Sequence, residues 1–157
     1  MALQSIQRPI VGLSMLILLV AGTTLSPARA SAFDSELRAG VFMDADAFAL
    51  GGGFLAPVGN RWFFNPNAEF AFGDQDLVAV SGDFHYDFAG SNGMSPWLGL
   101  GPTILMRDNP GDGSDTDVGL NVLAGLGGTR GTLRPFAQVR GIVADNSQVV
   151  LTGGIRF

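Results

Sequence analysis

Gln148-Val149-Val150-Leu151-Thr152-Gly153-Gly154-Ile155-Arg156-Phe157 is the stretch that decides the fold. Val149, Leu151, Ile155 and Phe157 share one parity with Gly153, while Gln148, Thr152, Gly154 and Arg156 share the other. Val150 is the one apolar residue on the polar side. Successive side chains of a strand point to opposite faces, so the alternation predicts a strand with one apolar and one polar face. Phe157 lies on the apolar face. A free aromatic end gains nothing in water, and the expectation is a strand that closes a barrel in lipid.

The same rhythm recurs upstream in residues 36–44, 47–56, 61–73, 77–88, 96–106, 116–127 and 133–144. It is clearest in 77–88, where Val78, Val80, Phe84, Tyr86 and Phe88 oppose Ser81, Asp83, His85 and Asp87. In 61–73, Trp62, Phe64, Ala68, Phe70 and Phe72 oppose Asn65, Asn67 and Glu69. Pro66 sits inside that run without a backbone donor, which predicts a local defect in the ladder. Pro57-Val58-Gly59-Asn60 reads as a turn, and 107–115 as the longest polar loop. No segment has helical periodicity. The expected fold is all-β: eight antiparallel strands in up-and-down order.

The first thirty residues stand apart. Arg8, an apolar run from Ile10 to Gly22, and Ala28-Arg29-Ala30 have the anatomy of a secretory signal. Cleavage is expected after Ala30, with Ala32 as second choice, leaving a single domain over 31–157. The apolar run is shorter than the roughly 20 residues of a spanning helix. The chain has no cysteine, which excludes a lipoprotein anchor and a disulfide framework. Of nine basic residues, all arginine, two leave with the signal; seven then face fourteen acids, a charge of −7. That balance argues against nucleic acid as a partner.

Which face is bulky decides between a soluble barrel and a membrane barrel. The interior of an eight-stranded barrel is just filled by side chains. Here the apolar parity carries Phe64, Phe70, Phe72, Phe84, Tyr86 and Phe88, and the polar parity is rich in Gly, Asn, Ser and Asp. Large and apolar outside with small and polar inside is the arrangement of a transmembrane β-barrel. Ten residues at about 3.4 Å, tilted about 45°, span roughly 24 Å, close to the ~25 Å apolar band. Trp62, Phe63, Tyr86, Trp97 and Phe157 are expected at the interfaces. A soluble periplasmic binding barrel is the competing reading. The connections after odd strands carry Asp44, Asp46, Asp74, Asp76, Asp108, Asp112, Asp115 and Asp145; those after even strands lie beside Arg61, Arg130 and Arg134. One rim is therefore expected to be acidic and the other basic.

The signal, the eight amphipathic strands and the ending Gly153-Gly154-Ile155-Arg156-Phe157 resemble the small outer-membrane β-barrels of the outer-membrane protein A and X and opacity type. Ser95-Pro96-Trp97-Leu98-Gly99-Leu100-Gly101 resembles the family's fifth strand, and Leu133-Arg134-Pro135-Phe136 its entry into the seventh. The resemblance implies residence in the outer membrane of a Gram-negative cell, with export by the signal. It also implies a monomer in contact with outer-membrane lipid and lipopolysaccharide, and with the barrel-assembly machinery during biogenesis. Phe157 with Ile155 would form the assembly signal. The short outer loops depart from the archetype, and no periplasmic domain is expected beside the barrel.

Arg38, Arg140 and Arg156 with Glu69, Asp83, His85 and Asp87 read as a lumen charge network, since buried ions persist only when paired. This network either plugs the barrel or gates a narrow pore for small solutes or ions. Ser81, His85 and the neighbouring acids invite a hydrolytic reading, including lipid-modifying chemistry. Residues two apart on a strand sit roughly 7 Å apart, too far for a relay. No catalysis and no cofactor are expected. The run 108–115 offers oxygen atoms but fails the calcium-loop spacing, so no metal is expected there.

Overall fold

The computed structural model describes residues 33–73, 76–109 and 113–157. The expected signal lies outside the described residues. The chain forms one closed barrel in which β1 (Asp34–Phe42), β2 (Ala47–Gly59), β3 (Trp62–Phe72), β4 (Asp76–Asp87), β5 (Met94–Asn109), β6 (Gly113–Gly128), β7 (Arg134–Val143) and β8 (Gln148–Arg156) pair in sequence order. Strand β8 returns to β1 with Glu36 opposite Arg156 and Phe42 opposite Val150. The expected eight-stranded antiparallel architecture is therefore the observed one.

Burial is inverted relative to a protein folded in water. Glu36, Arg38, Glu69, Asp83, Asn121 and Arg140 are buried in the lumen, whereas Leu37, Val41, Phe48, Leu50, Phe72, Leu100 and Val118 face outward. A continuous apolar surface around the whole wall is untenable in water and suits hydrocarbon. The soluble barrel with an apolar interior is thereby excluded.

Three differences from the expected pattern have physical causes. The loop expected over 107–115 is largely a hairpin: Arg107 pairs with Asp115, Asp108 with Ser114 and Asn109 with Gly113. Backbone pairing needs no apolar side chains, so alternation stops being informative where strands rise into water. The turn expected at 57–60 shifts toward the β3 side. Pro57 and Val58 belong to β2, the register slips between Pro57 and Gly59, and Arg61 takes a φ of 64°. The defect expected at Pro66 is present on one side only. Pro66 stays in register with Gly82 of β4, but the β2–β3 ladder skips the positions between Gly53↔Asn67 and Ala56↔Phe64. The Phe54 carbonyl in that gap accepts a 2.7 Å hydrogen bond from Asn65 Nδ2 instead. The β4–β5 ladder has a matching gap between Ser81↔Thr103 and Phe84↔Leu100, where Pro102 lies.

Candidate functional site

The lumen is built in three layers. At the end where β1 meets β2, an apolar lid gathers Phe42, Ala47, Ala49, Ala71, Leu77, Ala79, Leu105, Ile142 and Val150. These residues sit on the parity that is polar elsewhere, and each lies near a strand end. Above the lid a cavity of about 280 Å³ opens, lined by Asp44, Arg107, Asp115, Asn146 and Gln148 and floored by Leu77. Arg107 is held by an ion pair with Asp117 and donates to the Asn146 carbonyl at 3.1 Å.

Below the lid runs a girdle of charge and amide. Glu69 receives Arg140 in a tight ion pair, and Arg38 Nη1 stands 3.6 Å from its other oxygen. Arg38 is also ion-paired with Glu36, which accepts from Asn65 Nδ2 at 2.9 Å and from Arg156 Nε at 3.2 Å. Amides extend the chain: Asn67 Nδ2 and Asn121 Nδ2 donate to the two oxygens of Asp83 at 2.9 and 2.7 Å. Arg140 Nη1 donates to Asn67 Oδ1 at 3.3 Å. A charge taken out of water persists only with such partners.

The third layer closes the end where β1 begins and β8 ends, the termini end of the described barrel. Trp97, Leu123 and Phe136 pack inside the lumen, and the Arg156 guanidinium lies over both rings, 4.5 Å from Trp97 and 4.7 Å from Phe136. Stacking on aromatic faces is favourable for a desolvated guanidinium. His85 is 2.9 Å from Asp87 through Nδ1, and it stacks on Phe63 at 5.6 Å between centroids. Glycines make room for these rings. A Cβ on Gly125 would fall inside the Trp97 indole, and one on Gly154 would meet Phe136 at 2.6 Å.

Of the residues singled out from the sequence, Arg38, Glu69, Arg140 and Arg156 lie in or beside the girdle. Among the described residues Asp83 bonds only amides, and His85 and Asp87 form a separate pair nearer the start of β1. Ser81 is 2.9 Å from Thr103 Oγ1, so its hydroxyl is engaged away from His85. Ile155 and Phe157 face outward, and Phe157 exchanges two 2.9 Å backbone hydrogen bonds with Ser35. Two expected interfacial aromatics are corrected. Trp97 is almost wholly buried in the lumen, and Phe63 points inward onto His85, because both have the lumen parity of their strands. Glu36, Asn65, Asn121 and Phe136 belong to the lumen but were not among the expected site residues. Their parity carried the signal, since each alternates with outward apolar residues.

The rims carry unequal charge. Asp44, Asp46, Asp76, Asp108, Asp115 and Asp145 lie at the lid end, whereas Arg61, Arg130 and Arg134 lie at the termini end. Asp74 and Asp112 lie outside the described residues. Asp34, which the sequence pattern left unassigned, sits at the basic rim, 2.6 Å from Arg134. Among the described residues, no group of three or more His, Cys, Asp or Glu is arranged to hold a metal ion.

No family model and no curated sequence matches the chain. Solved structures share the fold. The N-terminal β-barrel domain of Pseudomonas aeruginosa OprF matches with a TM-score of 0.68 at 16% identity, over 80% of this chain and 96% of that one. Neisserial surface protein A matches with a TM-score of 0.59 at 21% identity, over 82% and 98%. A de novo designed transmembrane β-barrel matches with a TM-score of 0.55 at 12% identity, over 84% and 100%. At these identities the likeness concerns architecture: the chain has the fold of small outer-membrane β-barrels.

Proposed function

We propose that this is an integral outer-membrane protein with a plugged lumen, serving envelope structure or contacts at the cell surface, without catalysis. The observation that carries the reading is the closure of the charged girdle on both sides. The apolar lid blocks one end, and the layer of Trp97, Phe136 and Arg156 blocks the other. Ion flow would require both layers to move. Reconstituted in a planar bilayer under voltage, the refolded mature chain is expected to show no resolvable conductance steps. Discrete openings would favour the narrow pore and overturn the plug.

The lipid-modifying reading has less support, because His85 is engaged with Asp87 while Ser81 is engaged with Thr103. In the proposed orientation the termini face the periplasm and the acidic rim faces outward, next to lipopolysaccharide. The partners are membrane lipid and, during biogenesis, the assembly machinery; the working form is a monomer. Phe157 supports an assembly role because its ring is presented outward at the seam where β8 meets β1. Deleting Phe157 is expected to lower the amount of heat-modifiable, membrane-inserted protein in cells several-fold, with milder loss of folding into detergent. Equal assembly of the deletion and the parent in cells would refute that role.

A further inference from the structure

We propose that the outer wall carries, at its termini end, a site for one anionic phospholipid of the phosphatidylglycerol type; this rests on the membrane reading above and names a lipid and a place on the wall. An apolar groove of about 470 Å³ runs across the lipid-facing side of β3–β5, walled by Trp62, Phe84, Tyr86, Leu98 and Leu100. Its lip is aromatic: Trp62 and Tyr86 meet edge to face at 5.3 Å. A groove in a wall that meets hydrocarbon is filled by an acyl chain, so the open question is which headgroup sits above it.

Two arginines answer that question. Arg61 precedes Trp62 in the β2–β3 turn, and its carbonyl accepts from Asp87 N at 2.8 Å, which fixes the turn against the end of β4. Arg130 leans from the β6–β7 turn over the β4–β5 turn, where its Cδ lies 3.6 Å from the Cβ position of Gly93. Both cations thus belong to turns at the same end of the barrel as Trp62 and Tyr86, the groove's aromatic lip. Both are exposed, and neither forms an ion pair among the described residues. The nearby acid, Asp87, is turned toward His85. A phosphate at this rim, near two exposed arginines without an ion-pair partner among the described residues, with an acyl chain in the groove below, fits this arrangement. A zwitterionic headgroup would bring its own cation against them.

Trp62 reports on the site directly, because the other tryptophan, Trp97, is shielded in the lumen. The mature chain is refolded into phosphatidylcholine vesicles doped with brominated phosphatidylglycerol or, at the same fraction, brominated phosphatidylcholine. Brominated phosphatidylglycerol is expected to occupy the groove about fivefold more per rim arginine, and so to quench Trp62 more strongly. The Arg61→Gln/Arg130→Gln variant should lose that excess. The Phe84→Ala/Leu98→Ala variant keeps both arginines but removes two groove walls, and should lose it as well. Equal quenching by both lipids in the parent overturns the site. An excess that survives wall removal also overturns it, because diffuse attraction to the basic rim then suffices. A chain that stays out of the vesicles overturns the membrane reading, and the site with it.

Discussion

Replacement of Glu69 by alanine is expected to cost about 3–5 kcal/mol of folding free energy, the range for a buried charge stripped of its partner. Arg140 is fully buried and would keep only the 3.3 Å contact to Asn67. Arg38 would suffer less, because Glu36 still holds it. Urea unfolding of the variant in lipid vesicles, followed by gel mobility, measures the loss. The double variant Glu69→Leu/Arg140→Met removes both charges together and should recover most of it, since an apolar pair of similar volume often matches a buried ion pair. If Glu69→Ala costs less than about 1 kcal/mol, in the range of exposed pairs, the girdle is wet enough to solvate Arg140. The plug would then fail along with the prediction.

The second large effect is expected at Gly125. Its Cβ position is occupied by the Trp97 ring, which is almost wholly buried and packed against Leu123 and Phe136. Gly125→Ala is expected to destabilise by about 1–3 kcal/mol, the usual range for overpacking, and toward its upper end. In a Trp97→Leu background the same substitution should be nearly silent, because the obstructing ring is gone. The coupling between the two changes is the quantity to measure. Additive effects would mean that Gly125 matters for its backbone freedom and that Trp97 does not fill the space above it.

Much of the architecture was legible because a barrel wall has a strict period of two. Outward Leu37, Phe48, Phe72, Leu100 and Leu151 alternate with inward residues in every strand, and the inversion of polarity followed from which side was bulky. The residues that broke the alternation were the more informative ones. Val150, an intruder on the polar side of β8, turns out to sit in the apolar lid beside Phe42, and Trp97 and Phe136 break the pattern at the opposite end. Parity alone said that these residues point inward. Which strand ends meet inside the barrel depends on stagger between strands, and one strand's sequence does not encode that. The same limit hid Glu36 as the partner of Arg156. The two become cross-strand neighbours only once β8 closes on β1 in a definite register. The extended β5–β6 hairpin escaped for a different reason, since outside the bilayer nothing in the side-chain pattern marks a paired backbone.

The two gaps in the ladder have a mechanical consequence. Pro66 is in register with Gly82, and Pro102 lies in the gap on the other side of the same strand. The weak points therefore fall on one line around the circumference, from β2 to β5. Apart from the slip between Pro57 and Gly59, the staves are stitched continuously elsewhere, and β5 with β6 most extensively. A cylinder weakened along one arc does not flex evenly. It creases there, so the cross-section is free to become oval on the β2–β5 side while the β6–β8 side stays round. Bilayer tension or local thinning would be taken up at that crease first, sparing the seam between first and last strands that keeps the cylinder shut.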